Sequence, residues 1–243
     1  MEKFRLADLL VERGLAQNQK EAGAIILSGV VLVDEQRIDK PGTRIDPSSE
    51  IRLKGADLKY VSRGGLKLEA ALREFAVDLR KRVCLDLGAS TGGFTDCLLQ
   101  HGARKVHAFD VGRGQLHWGL RQDPRVVVHD SSNVRHLTPS MIDDPVDLIT
   151  VDVVFISLRL VLPPLKAFPG VQIISLVKPQ FEADRQELGQ GGIVQSVQIQ
   201  RQIVGRIRDF CVQEGFDVLG EMPSPVRGQK GNQEYFLHLQ AKN

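Results

Sequence analysis

From residue 83 onward the chain repeats one pattern: a short apolar run, a glycine-bearing turn, then a stretch with helical spacing. The runs are 83–87, 105–110, 125–130, 146–152 and 171–177, with further strands expected over 216–221 and 234–239. Strands that are apolar on both faces must be covered on both faces, and the helices between them supply the cover. The pattern therefore predicts a doubly wound α/β domain built on a parallel sheet.

The 243 residues leave room for a second, smaller module ahead of that domain. Leu6, Leu9, Leu10 and Leu15 give a first helix that Gly14 can close. Asn18 is placed to cap a second helix with Ala22, Ile25, Ile26 and Leu27 on its apolar face. Ser28-Gly29 ends that helix, Val30 to Val33 reads as a strand, Asp34 to Gln36 as a hairpin turn, and Thr43 to Leu53 as one or two short strands. The expected organisation is a small α+β module over 1–60, a basic linker and helix over 61–82, and the α/β domain over 83–243.

Charge separates these parts. Residues 1–60 carry ten basic and ten acidic side chains, whereas 59–82 carry seven basic against three acidic. Net charge is only +2, so any polyanion-binding surface comes from local clustering, and the junction is the expected phosphate-facing region, an ordinary solvated helix face being the other reading of the same charges. Arg5, Lys20, Lys59, Arg63 and Lys67 are the basic residues expected to meet a polyanion. Three cysteines without C-x-x-C spacing argue against a disulfide framework or a zinc site, so no metal is expected. The amino terminus has no apolar signal core, and no run reaches the roughly 18 apolar residues of a membrane span. A cytoplasmic protein without a membrane partner is expected.

The most specific local feature is Asp86-Leu87-Gly88-Ala89-Ser90-Thr91-Gly92-Gly93-Phe94, a strand that ends in an acidic residue and glycines and then opens a helix. Glycines permit positive φ and close approach of a ligand to backbone amides at a helix start. The loop is neither a phosphate-binding P-loop nor a strict G-x-G-x-x-G. An acidic loop of this form suits a cationic, phosphate-free ligand such as S-adenosylmethionine. Asp110, about 20 residues on, is placed for the hydroxyls of a ribose, and Asp130, closing the third strand, is placed near an adenine. Asp86, Gly88, Ser90, Thr91, Gly92, Gly93, Phe94, Asp110 and Asp130 are thus the expected cofactor residues.

Asp152 and Lys178 end the fourth and fifth runs, on the edge where open α/β sheets bind ligands. Lys67, in Arg63-Gly64-Gly65-Leu66-Lys67, and Glu234, before the last apolar run, complete a set that meets only if the fold brings it to one edge. Methyl transfer to a hydroxyl is an in-line displacement in which the oxygen is held close and loses its proton. A lysine flanked by other charges can be pulled towards neutrality and serve as the base, with carboxylates orienting it. No cysteine follows a proline, and no Asn/Asp-Pro-Pro-aromatic run follows the fourth strand, so the carbon-5 and amino-group methylation patterns are absent and a hydroxyl acceptor remains. Asp147 precedes the apolar part of its strand and is expected to cap a turn after Pro145.

Together these motifs resemble the TlyA family, bacterial hemolysin-named rRNA 2′-O-methyltransferases in which an S4-type RNA-binding domain precedes an FtsJ-like methyltransferase domain. The resemblance runs through Gly29 to Val33, Lys40 to Thr43, Tyr60 to Leu68, the Asp86 to Phe94 loop, Phe155 to Leu158, Val177 to Glu182, Gly191 to Val194 and Lys230 to Asn232. It implies a Rossmann-like, S-adenosylmethionine-dependent domain, the tetrad Lys67, Asp152, Lys178 and Glu234 as catalytic residues, and a cytidine ribose in ribosomal RNA or ribosomal subunits as acceptor. Two other readings stand beside it: a catalytically silent RNA-binding ribosome-assembly factor, and a membrane-active hemolysin. Oligomeric state is left open.

Overall fold

A computed structural model describes residues 3–53, 59–228 and 231–242; Lys230 of the Lys230 to Asn232 motif lies outside them. The chain divides into two compact units, 1–59 and 60–243.

In the first unit, strand β1 (Phe4–Arg5) leads into α1 (Leu6–Glu12) and then α2 (Gln19–Leu27). Asn18 caps α2 by accepting from Glu21 N at 3.0 Å. Strand β2 (Val31–Val33) pairs antiparallel with β3 (Gln36–Arg37) and with β5 (Ile51–Leu53), while β4 (Arg44–Ile45) pairs with β1. The turn from β2 to β3 carries Asp34 and Glu35 at positive φ, 48° and 65°, the geometry that matches the twist of a two-residue hairpin. Leu6, Leu10, Ile26 and Val31 are fully buried at the centre of this unit's core. The Phe4–Arg5 strand was not expected from sequence: two residues show no periodicity, and the strand exists only through its pairing with β4.

The second unit begins with α3 (Gly64–Glu74) and continues with β6 (Val83–Leu87), α4 (Gly93–Gln100), β7 (Lys105–Phe109), α5 (Trp118–Gln122), β8 (Val126–His129), β9 (Leu148–Val151), α6 (Leu158–Val161), β10 (Gln172–Val177), α7 (Pro179–Glu182), α8 (Val197–Gln213), β11 (Phe216–Pro223) and β12 (Tyr235–Ala241). Its seven strands lie in the order β11-β12-β10-β9-β6-β7-β8. Alternate residues of each strand face opposite cores. Leu85, Ile149, Ile173 and Leu237 pack with Val204 and Ile207 of α8, and Cys84, Leu148, Ile174 and Phe236 pack with Leu68, Leu72 and Leu98 of α3 and α4.

Two expectations are corrected here. Residues 61–82, expected as a basic linker and helix, do hold a helix, α3, but do not stand apart from the domain that follows. Leu68, Ala71, Leu72 and Leu79 are buried in the core that α3 shares with α4, so the segment belongs to the second unit. Nor is the sheet purely parallel. Strand β12 runs antiparallel to both β10 and β11, and among the described residues between β11 and β12 there is no crossover helix of the kind a parallel return needs.

Candidate active site at the carboxyl edge of the sheet

The order of the central strands places four chemistry-bearing side chains together. Asp152 follows β9, and its amide donates to Leu87 O at 2.9 Å, which holds it beside Gly88 at the end of β6. Lys178 follows β10; its Nζ donates to Val153 O at 2.8 Å and lies 2.5 Å from Asp152 Oδ1. The antiparallel ladder between β10 and β12 ends at Val177↔Tyr235, so Lys178 and Glu234 occupy the next step on neighbouring strands. Glu234 then receives Lys67 Nζ of α3 at 2.5 Å. Two ion pairs therefore close around the carboxyl end of the parallel strands. Lys67 and Glu234 retain only 12% and 4% of their side-chain exposure, so neither charge is in bulk water.

The glycine loop lies against this edge. Gly88 has φ +89°, and a Cβ there would sit 2.6 Å from Asp152 O, so only glycine lets the loop pass the edge this closely. Gly88 N and Ala89 N both donate to Phe109 O, which ties the loop to β7. Asp110 fixes its outer part: one carboxylate oxygen accepts from Ser90 N and the other from Gly112 N, each at 2.7 Å. Ser90 and Thr91 are exposed, and Ser90 is held at φ 49°.

A model of the FtsJ-like methyltransferase family matches residues 60–241, and a model of the S4 domain matches 4–51. A protein of Mycobacterium tuberculosis named 16S/23S rRNA (cytidine-2′-O)-methyltransferase TlyA is 43% identical over 236 residues, covering 96% of this chain and 88% of its own. The chain belongs to the TlyA family. A Bacillus subtilis protein provisionally named rRNA methyltransferase YqxC is 48% identical over 240 residues, covering 98% of this chain and 85% of its own. A solved structure from Streptococcus thermophilus under a hemolysin name superposes with a TM-score of 0.75 at 42% identity, covering 100% of this chain and 90% of that one. The hemolysin label thus travels with a methyltransferase fold, and among the described residues no helix is long and apolar enough to cross a membrane.

Within this TlyA-family chain the expected cofactor residues divide into two groups. Gly88, Ser90, Thr91 and Asp110 are at least partly accessible along the loop. Others stand behind it. The Asp86 carboxyl is fully buried, accepting from Thr95 Oγ1 at 2.6 Å and Thr150 Oγ1 at 3.0 Å, and burial pushes it up to about 7. It braces the strand-to-helix junction from inside instead of facing a ligand. Phe94 is buried against Phe236, with ring centroids 6.2 Å apart. Gly92 and Gly93 are packing glycines: a Cβ would strike Leu120 at 2.3 Å in the first case and Ser62 Oγ at 2.1 Å in the second. Asp130 is held by Arg121 at 2.9 Å, which keeps its carboxyl below the usual carboxylate range and occupies the oxygens expected to face an adenine.

Of the expected RNA contacts, Arg63 is exposed at the start of α3, while Lys67 is committed to Glu234 and is not a free phosphate contact. Arg5, Lys20 and Lys59 are exposed on the first unit. Asp147 does more than cap a turn: its carboxylate accepts from Val83 N at 2.8 Å, joining the starts of β9 and β6.

Two further residues of this region had no role assigned from sequence. Phe155, three positions after Asp152, is 88% exposed and sits at φ 61°, a strained conformation for an aromatic residue. Its ring lies 5.3 Å from that of Phe181. Glu182, buried enough that its carboxyl is raised above the usual range, accepts from Ser157 Oγ at 2.6 Å and Leu158 N at 2.7 Å. It clamps the Phe155 loop to the segment that carries Lys178. The sequence signal for both was their presence in compact runs, Phe155 to Leu158 and Val177 to Glu182, but nothing in the spacing said that the two runs touch.

Proposed function

We propose that this methyltransferase moves a methyl group from S-adenosylmethionine to the 2′-hydroxyl of a ribose, in a cytidine of ribosomal RNA. The observation that carries the reading is the joining of Asp152 with Lys178 and of Lys67 with Glu234 at one sheet edge, beside Gly88. The chemistry that the Mycobacterium tuberculosis relative is named for, cytidine 2′-O-methylation, asks for such a set. The loop fits the cofactor: Ser90 and Thr91 are exposed along it, and the partly accessible Asp110 carboxylate is hydrogen-bonded to it at Ser90 N.

When bound, the cofactor supplies an electrophilic methyl on a sulfonium. The chain's own task is to bring a ribose oxygen in line with it and remove one proton. Lys178 must first release one proton of its ion pair to solvent; its neutral Nζ then receives the hydroxyl proton, and the Asp152 carboxylate 2.5 Å away stabilises the ammonium that is restored. Lys67 and Glu234 fix the ribose from the opposite side. Phe155 offers a flat exposed face to an unstacked base. Arg5, Lys20 and Lys59 on the first unit contact RNA phosphates, and Arg63 on the second unit contacts them too. Such work places the protein where ribosomes are assembled, in the cytoplasm.

The test is transfer of labelled methyl from S-adenosylmethionine to isolated ribosomal subunits and to free rRNA, with nuclease mapping of the product. Label on a ribose establishes the reaction. Label on a base removes the tetrad mechanism, and no label on any of these RNAs leaves an RNA-binding assembly factor.

A further inference from the structure

On the second unit, a groove of about 640 Å³ lies between α8 on one side and β11 with the start of β12 on the other, and the tetrad does not use it. Arg201, Gly205 and Arg208 follow one another along a single ridge of α8, one turn apart, and Arg227 lines the same groove from the loop between β11 and β12. Three guanidinium groups face one carboxylate, Glu221.

These arginines are unlike most others on the helix and around it. Arg206, their neighbour on α8, is consumed by Glu187 through two hydrogen bonds of 3.0 and 2.7 Å. Arg208 meets Glu221 only at 3.8 Å and Asp209 at 3.4 Å, and Arg227 makes one long bond of 3.4 Å to Gly231 O. Arg201 has no hydrogen bond or ion pair among the described residues. A guanidinium carries five donors in a fork that matches phosphate oxygens, so most of this donor capacity is unspent. Beside it the wall is apolar: Val197 is exposed, and Met222 and Pro223 line the far side. A polyanion with flat apolar faces, a nucleic-acid strand, suits both halves of the groove better than an acidic peptide does. Gln233 and Tyr235, which also line it, flank Glu234 in the chain and alternate with it across β12, so the groove lies on the α8 face of the sheet while the Glu234 carboxylate faces α3 on the other.

We propose that this groove holds a second segment of the substrate RNA, with phosphodiesters on Arg201, Arg208 and Arg227. The proposal rests on the methyltransferase reading for its purpose, but its binding test does not need turnover.

The experiment uses the full chain with Arg201→Ala/Arg208→Ala and Arg201→Glu/Arg208→Glu, against Arg135→Glu as a control at an exposed arginine between β8 and β9. Binding to deproteinised 16S and 23S rRNA is followed by fluorescence anisotropy across a salt series. The alanine pair is expected to weaken binding about tenfold and lower the salt slope by about 2, the glutamate pair to weaken it further, and the control to do neither. KM for rRNA rises while kcat at saturation and S-adenosylmethionine affinity stay as in the parent. Unchanged rRNA affinity and salt slope in folded variants overturn the proposal. So does a groove that binds adenosine monophosphate but contributes nothing to strand binding, or a loss confined to an acidic protein partner. If the parent binds rRNA through these arginines yet transfers no methyl to any RNA, the methyltransferase reading falls and the groove stands.

Discussion

Lys67 Nζ and Glu234 Oε2 are 2.5 Å apart although 167 positions separate the two residues in the chain, and both side chains are almost enclosed. Removing one member of such a pair strands the other charge. Lys67→Met is therefore expected to cost about 3–5 kcal/mol of stability, and Lys67→Met/Glu234→Leu to recover most of it. Denaturant unfolding of the two variants checks this. Equal loss in both would mean that packing, not charge pairing, holds the contact.

Lys178→Ala is expected to abolish methyl transfer, by at least about 10²-fold in kcat, while cofactor affinity stays near that of the parent. The side chain touches Asp152 and Val153 O and, among the described residues, makes no hydrogen bond or ion pair with the Gly88 loop. Calorimetric binding of S-adenosylmethionine alongside single-turnover transfer separates the two effects, and near-normal turnover removes Lys178 from the mechanism.

Asp110 acts in the opposite sense. Both its oxygens pin backbone amides of the glycine region, at Ser90 and Gly112. Asp110→Ala should weaken S-adenosylmethionine binding about tenfold or more, since charge-assisted bonds of this kind contribute about 1.5–3 kcal/mol each. Unchanged affinity would show that the ribose of the cofactor lies elsewhere.

At Phe155 stability and function are set against each other. Its φ of 61° is free of strain only for glycine, so Phe155→Gly should stabilise the fold or leave it unchanged, within about 1 kcal/mol, while raising KM for RNA. Thermal unfolding and rRNA saturation curves read the two effects independently. A strong loss of stability would mean that the ring's contact with Phe181 outweighs the backbone strain.

Asp86 supplies a pH signature. Its folded value is raised, from 3.8 to about 7, chiefly by desolvation. The native state therefore holds a proton that the unfolded chain has released between these values, so the contribution is fully present below the unfolded value and is lost as pH rises through the folded one. Relative to Asp86→Asn, the parent should lose stability between pH 4 and pH 7 with a slope approaching about 1.4 kcal/mol per pH unit. Parallel stability curves for the two proteins would contradict a buried, protonated Asp86.

The strands of the second unit were legible because burial on both faces leaves uninterrupted apolar runs, and the Asp86 to Phe94 loop because glycine marks backbone that must bend. The roles within that loop were less legible. Asp86, Phe94, Gly92 and Gly93 have the residue types a ligand wants, yet these types also satisfy a buried strand-to-helix junction, and only the positions of Thr95, Thr150, Ser62 and Leu120 decide between the two. Asp130 is similar: its partner Arg121 is nine residues away on a short helix with no strong pattern. The direction of β12 was hidden because an apolar run carries no arrow, and helix α3 was read by its charge although Leu68, Ala71 and Leu72 already gave it a buried face.

The reversal of β12 has a consequence for how such an enzyme can change. Asp152 and Lys178 leave the ends of parallel strands, so their positions are locked to the same ladder that shapes the Gly88 loop. Glu234 instead enters its strand from the loop after β11, at the same edge but from the other direction. Lengthening or shortening the connection over 224–233 can shift Glu234 and leave the Gly88 loop and the Asp152–Lys178 pair untouched. On the proposed reading, one half of the site is set by the parallel ladder and the other by a connection whose length can change, which gives the fold a way to meet new RNA shapes while keeping its chemistry.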